Sequence, residues 1–118
     1  MRSADVVVVG TGAAGLFHAL FLPRDYKVIM ITKKEVVESD SFLAQGGISA
    51  LKNEDDFDSY FEDTMKAGHY EIDKGAVEKM IRESPQIIKD LREFGVRFDE
   101  KDGQVQFTRE GGHSTFRI

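Results

Sequence analysis

Apolar and polar positions alternate in period along this chain. Asp5 to Gly10, DVVVVG, is a β-branched run closed by glycine, which predicts a short buried strand. Leu16, Phe17, Leu20 and Phe21 then recur at helical spacing until Pro23 stops the pattern. Tyr26 to Thr32, YKVIMIT, predicts a second buried strand. Strand, glycine turn, helix and strand make a βαβ unit with a parallel pair. An irregular stretch from Lys33 to Gly47 follows. Phe57, Tyr60, Phe61, Thr64 and Met65 mark an amphipathic helix with Gly68 near its end. Val77, Met80 and Ile81 continue a helical pattern after Asp73, a candidate N-cap. Ser84-Pro85 predicts a break, with Ser84 capping a new helix through Ile87, Ile88, Leu91 and Phe94 up to Gly95. Residues 96–99 and 103–107 read as extended pieces around a turn at Lys101-Asp102-Gly103.

The predicted fold class is therefore α/β, a partial Rossmann-like domain made of one βαβ unit plus helices. Its sheet is incomplete. A doubly wound sheet needs several parallel strands covered on both faces, and only two convincing ones are present. Either the fold is unusual or the strands that complete it lie beyond Ile118, in which case the uncovered edges would favour self-association.

Composition narrows the function. The 118 residues are 41% hydrophobic and 31% charged, which is globular rather than disordered. A net charge of -5 argues against a nucleic-acid partner, which calls for a basic face. The absence of cysteine removes disulfides and thiolate metal sites and fits a reducing cytoplasm. Three scattered histidines, His18, His69 and His113, lack metal-ligand spacing. His18 reads as structural and His69 as exposed. Asp55, Asp56 and Asp58 lack the calcium-loop pattern and read as favourable charge at a helix N-terminus. Ser114 has no evident base partner, so a nucleophilic triad is unsupported. The apolar N-terminal run follows Asp5 and is interrupted by glycines, unlike a signal peptide, and it is too short for a membrane span.

The chemistry is concentrated in three segments. Gly10 to Gly15, GTGAAG, matches G-x-G-x-x-G between a strand and a helix. Gly10 would permit the tight turn, Gly12 would let a pyrophosphate approach the backbone, and Gly15 would allow close helix–strand packing. Ala13 and Ala14 open the helix, whose free N–H groups attract phosphate. The second strand ends in Thr32-Lys33-Lys34, without the acidic residue usual for NAD, so NADP stays open on this turn alone. Glu38 to Ala50, ESDSFLAQGGISA, offers Ser39 and Ser41 as donors. Ala44, Gln45, Gly46 and Gly47 follow, where the backbone can pass close to a flat ligand. Phe107 to Ile118, FTREGGHSTFRI, carries Glu110 between Arg109 and two glycines, with His113 beyond them.

Taken together, the glycine turn and the A-Q-G-G segment resemble the FAD domain of the succinate dehydrogenase, fumarate reductase and L-aspartate oxidase flavoproteins. The ending is similar to the T-R-E-G-G-H-S-x-x-R-I segment of the L-aspartate oxidase branch, as is EDTMKAGHYEIDKGAV between them. The resemblance runs from Asp5 to Ile118 but covers only the first quarter or so of such an enzyme. Residues 1–118 are thus expected to be the N-terminal part of an FAD-binding domain, without the capping and C-terminal domains, and inactive alone.

The resemblance implies FAD as cofactor, held by Gly10, Gly12, Ala13, Ala14, Gly15, Thr32, Lys33, Ser39, Ser41, Ala44, Gln45, Gly46 and Gly47. It implies oxidation of L-aspartate to iminoaspartate, with oxygen or fumarate as acceptor, on the route to quinolinate and NAD. Glu110 would be the specificity residue. Dicarboxylate-acting relatives typically carry an apolar residue there, and a carboxylate beside the flavin would pair with the substrate ammonium. His113 is a candidate to approach substrate or flavin. Asp40 departs from the neutral polar residue usual in relatives. A succinate- or fumarate-acting flavoprotein and a non-catalytic nucleotide-binding module are the alternative readings.

Overall fold

A computed structural model describes residues 3–44 and 46–118. The chain divides into two compact units, one ending at Gly46 and the other spanning Gly47–Ile118.

The first unit is the βαβ element. β1 (Val6–Val9) and β2 (Val28–Ile31) pair in parallel, with Val6 opposite Val28 and Val9 opposite Ile31. Asp5 fixes the start of this register: its N–H donates to the Lys27 carbonyl at 2.9 Å, and its carboxylate accepts from the Lys27 N–H at 2.7 Å. The Gly10 N–H extends the ladder to the Ile31 carbonyl at 2.8 Å. Between the strands runs α1 (Ala13–Leu20), where Phe17 and Phe21, one turn apart, bring their rings to 4.9 Å. The stretch read as irregular is partly ordered. It holds a 3-10 turn at Val36–Glu38 and the one-turn helix α2 (Asp40–Leu43), capped by the Ser39 hydroxyl, which accepts from the Phe42 N–H at 3.2 Å.

The expectation of buried strands is corrected. Only Val8, the residue facing α1, is buried, and Val9 is 81% exposed. Parallel strands are apolar on both faces because they are made to be covered on both. One helix covers one face.

The second unit is built on α3 (Phe57–Ala67) and α4 (Lys74–Glu93). Tyr60 and Met65 from α3, Val77 and Ile81 from α4, and Leu51 form its core, flanked by Phe57, Phe61 and Ile72. The apolar positions recur at three- and four-residue spacing, which places them on one face of each helix. Asp73 caps α4 as predicted, its carboxylate accepting from the Ala76 N–H at 2.8 Å. The helix stops at Gly95 with paired turn bonds, Gly95 N–H to Arg92 carbonyl and Val96 N–H to Leu91 carbonyl.

The predicted break at Ser84-Pro85 does not occur. α4 runs through Pro85. A proline here has no N–H to give the Ile81 carbonyl and would ordinarily break the helix. The Ser84 hydroxyl takes over that role, donating to the Ile81 carbonyl at 2.6 Å while accepting from the Leu51 N–H at 2.9 Å. One side chain thus mends the helix and ties the preceding segment to it. The extended pieces are also shorter than read. β3 (Glu100–Lys101) and β4 (Gln104–Val105) form a minimal hairpin, extended by one bond from the Gln106 N–H to the Asp99 carbonyl at 2.8 Å, and residues 96–98 stay outside it. Asp102 and Gly103 turn it with φ of 54° and 76°.

Ser84→Ala should lower unfolding stability by about 1–3 kcal/mol, because it strands both the Ile81 carbonyl and the Leu51 N–H. Ser84→Thr, which keeps the hydroxyl, should recover most of it. Urea unfolding midpoints of the two variants check this, and equal midpoints would contradict it.

Candidate functional site

In the first unit the glycine turn has the form a phosphate site needs. Gly10 adopts φ +100°, a conformation that side chains resist. A Cβ on Gly15 would lie 2.3 Å from the Gly10 carbonyl oxygen, so only glycine lets α1 start this close to β1. Gly12 is the residue before the helix, in extended conformation, and the helix N-terminus points its first N–H groups outward. The Ser41 hydroxyl reaches this point and accepts from the Ala13 N–H at 2.9 Å. Thr11 is buried and its hydroxyl donates to that of Thr32 at 3.1 Å, which ties the turn to the end of β2. These features fit a dinucleotide pyrophosphate seated at the helix N-terminus. Ala14 and Lys33 are exposed beside the turn, and Ala44 and Gly46 are exposed after α2. Ser39 is engaged as the cap of α2. Gln45 lies outside the described residues. His18, read as structural, is exposed in the last turn of α1.

Gly47 belongs to the second unit, where the remaining motifs meet. A Cβ on Gly47 would come within 2.3 Å of the Ile118 side chain, so the two segments touch through the glycine. The Ala50 N–H donates to the Arg117 carbonyl at 2.8 Å. The ends of the last segment also close on each other, with Thr108 N–H to Ile118 carbonyl at 2.7 Å and Arg117 N–H to Thr108 carbonyl at 3.0 Å. Residues 108–118 therefore form a closed loop, with Glu110, Gly111, Gly112 and His113 on its arc.

A buried ion network holds that loop. Arg117 is 0% exposed. Its Nε and Nη2 donate to the two oxygens of Asp56 at 3.1 and 2.8 Å, Nη2 also to the Ser59 hydroxyl at 2.7 Å, and Nη1 to Asp63. The guanidinium stacks on Tyr60, 4.8 Å from the ring centroid. Asp63 further accepts from the Ser114 N–H and hydroxyl, each at 2.7 Å, and Asp56 from Thr115 at 2.9 Å. Burial pushes the Asp63 carboxyl up, but the bonds from Ser114 and Arg117 outweigh it and hold it at about 2. Asp56 follows the same logic: burial raises it, and donors led by Arg117 bring it below the ordinary carboxylate range. Asp56 stands at the start of α3 as expected, and its charge is in addition paired with Arg117. Its partner lies 61 residues away. The signal was present in the spacing, since Asp56, Ser59, Tyr60 and Asp63 share one face of the chain entering α3, and Tyr60 is a core position.

His113 borders a cavity of about 500 Å³ together with Ser49, Tyr60, Asp63, Gly111 and Gly112. Glu110 does not line it. Its side chain is exposed and has no partner among the described residues. Among those residues no group of three or more His, Cys, Asp or Glu side chains could hold a metal ion, and no helix is long and apolar enough to cross a membrane.

Both carboxylates are depressed in the folded state, so they stabilise it above the unfolded value near 4. That stability should drain away as pH falls from about 4 toward 2. Asp63→Asn should lower stability at neutral pH and flatten this part of the profile. Unfolding measured between pH 5 and 2 checks it, and parallel profiles for the two proteins would contradict it.

A sequence family described as "FAD binding domain" matches residues 5–118. The chain is 46% identical over 115 residues to the L-aspartate oxidase of Clostridium acetobutylicum, covering 97% of this chain and 26% of that one. It is 43% identical to the chloroplastic L-aspartate oxidase of Oryza sativa, covering 97% of this chain and 18% of the relative. Among solved structures, Mycobacterium smegmatis Sdh1 superposes with a TM-score of 0.85 at 32% identity, over 99% of this chain and 20% of that one. An E. coli quinol fumarate reductase FrdA variant gives 0.85 at 28% identity, over 97% and 20%. The chain spans about a quarter or less of the length of these relatives. With its glycine turn, its parallel strand pair and this match over nearly its whole length, the chain belongs to the FAD binding domain family.

Proposed function

We propose that this chain is the N-terminal, FAD-binding part of an L-aspartate oxidase. Residues 1–118 supply the dinucleotide turn and the Glu110 loop, and the capping domain and remaining strands come from sequence that follows in the full-length protein. The observation that carries the reading is the meeting of two motif segments: Gly47 and Ala50 are seated against Ile118 and Arg117 at the base of the loop bearing Glu110. The identities support it, since the L-aspartate oxidases match at 40–46% and the succinate- and fumarate-type structures at 28–32%.

In this reading Gly10, Gly12, Ala13, Ala14 and Gly15 hold the FAD pyrophosphate. Thr32, Lys33, Ser39, Ser41, Ala44, Gln45, Gly46 and Gly47 complete the cofactor contacts. Bound FAD supplies the two-electron oxidation of L-aspartate to iminoaspartate, with oxygen or fumarate as final acceptor. The chain's own residues bind and orient. Glu110, whose carboxylate has no partner among the described residues, pairs with the substrate ammonium. Succinate would leave that carboxylate unpaired in the closed site, which is the basis of discrimination. His113 stands beside the glycines of the same loop and contributes to substrate binding. The protein works in the cytoplasm, and its product feeds quinolinate and NAD synthesis. The exposed edges of β1 and β2 make the 118-residue chain alone prone to self-association. It should not oxidise aspartate by itself.

A second reading, a succinate- or fumarate-acting flavoprotein, draws on the TM-scores of 0.85. Glu110 separates the two. The FAD-loaded full-length protein should release hydrogen peroxide with L-aspartate and stay silent with succinate. Glu110→Leu should cut kcat/KM for L-aspartate by about 10- to 100-fold, the worth of a hydrogen bond to a charged group. Turnover of succinate without aspartate would overturn the proposal in favour of the second reading.

A further inference from the structure

Arg117 has five N–H donors and no acceptor. Four of them go to Asp56, twice, and to Ser59 and Asp63. The fifth, on Nη1, faces His113 Nδ1 at 3.3 Å. A guanidinium cannot accept a hydrogen bond, so this contact requires a lone pair on Nδ1. Either a Nδ1–H tautomer or a charged imidazolium would set N–H against N–H and leave a buried donor of Arg117 unpaired. The proton of the neutral ring is then on Nε2, which lies 3.4 Å from the Ser49 hydroxyl. The ring is also braced by an edge contact with Tyr60, 6.0 Å between centroids.

We propose that Arg117 is a positioning residue that locks His113 as the neutral Nε2–H tautomer. His113 thereby serves the cavity as a hydrogen-bond donor and not as a base, its single N–H resting on the Ser49 hydroxyl of the same lining until a stronger oxygen acceptor takes it. The ligand such a donor suits is an oxygen acceptor, and the choice of a substrate carboxylate rests on the proposed aspartate chemistry. Arg117 does this from a place where its own charge is consumed by Asp56 and Asp63, so it steers the ring without offering a second cation to the ligand. Lysine could not replace it. An ammonium has three donors and cannot serve five acceptors spread around a plane.

Proton–nitrogen NMR of histidine-labelled, FAD-loaded full-length protein reads the tautomer directly, with His113→Gln identifying the signal. The expected spectrum shows His113 protonated on Nε2 alone at neutral pH. A ring protonated on Nδ1, or on both nitrogens, would overturn the proposal. Arg117→Lys should give a mixture of tautomers and raise KM for L-aspartate about tenfold or more, with a smaller change in kcat. A folded Arg117→Lys enzyme with the tautomer and KM both unchanged would also overturn it. If that variant does not fold, the wild-type spectrum alone decides. The spectrum is read without substrate, so absence of aspartate turnover in the wild type would sink the proposed function while leaving the tautomer result to stand or fall separately.

Discussion

The second unit depends on one buried cation. Stripping a guanidinium and two carboxylates of water costs several kcal/mol for each ion. That cost is tolerable only because every donor of Arg117 meets an acceptor and the ring of Tyr60 covers the guanidinium face. Such a network contributes geometry more than stability. It fixes the distance between the chain entering α3 and the closing loop, so residues far apart in sequence become one rigid base. Glu110, Gly111, Gly112 and His113 sit on the arc above that base. Ala50, bonded to the Arg117 carbonyl, brings the glycine-bearing segment to the same place.

The first unit depends on a different economy, that of close backbone approach. Gly15 lets the helix begin against the Gly10 carbonyl, and the Thr11–Thr32 bond and the Ser41–Ala13 bond hold the turn from two sides. Ser41 is polar, short and adjacent to the helix N-terminus, the properties of a phosphate-contacting hydroxyl. The apolar faces of β1 and β2 stay largely open. Relatives of which this chain covers only 26% and 18% have the chain needed to cover such faces.

Much of this was legible in the sequence wherever the cause is local. The β-branched runs, the glycine turn, the Asp73 cap and the stop at Gly95 each follow from neighbours within a few residues. Pro85 was misread because its repair depends on a hydroxyl beside it and on Leu51, 33 residues earlier. Asp56 stands at the helix start as its neighbours predict; the spacing of Asp56, Ser59, Tyr60 and Asp63 marks a shared face but does not name the Arg117 that meets it 61 residues on. The positions of Glu110 and His113 relative to the cavity were equally out of reach. Both lie in a loop without periodicity, whose shape is set by bonds from its own Ser114, Thr115 and Arg117 to Asp56 and Asp63, far back in the sequence.

The central claim is that the loop carried on Arg117 meets an amino-acid substrate through Glu110. A crystal structure of the full-length protein with FAD and L-aspartate tests it most directly. The account predicts the ammonium of aspartate within hydrogen-bond reach of the Glu110 carboxylate, with His113 Nε2 turned toward the ligand. Aspartate bound elsewhere, with Glu110 left in solvent, would contradict it.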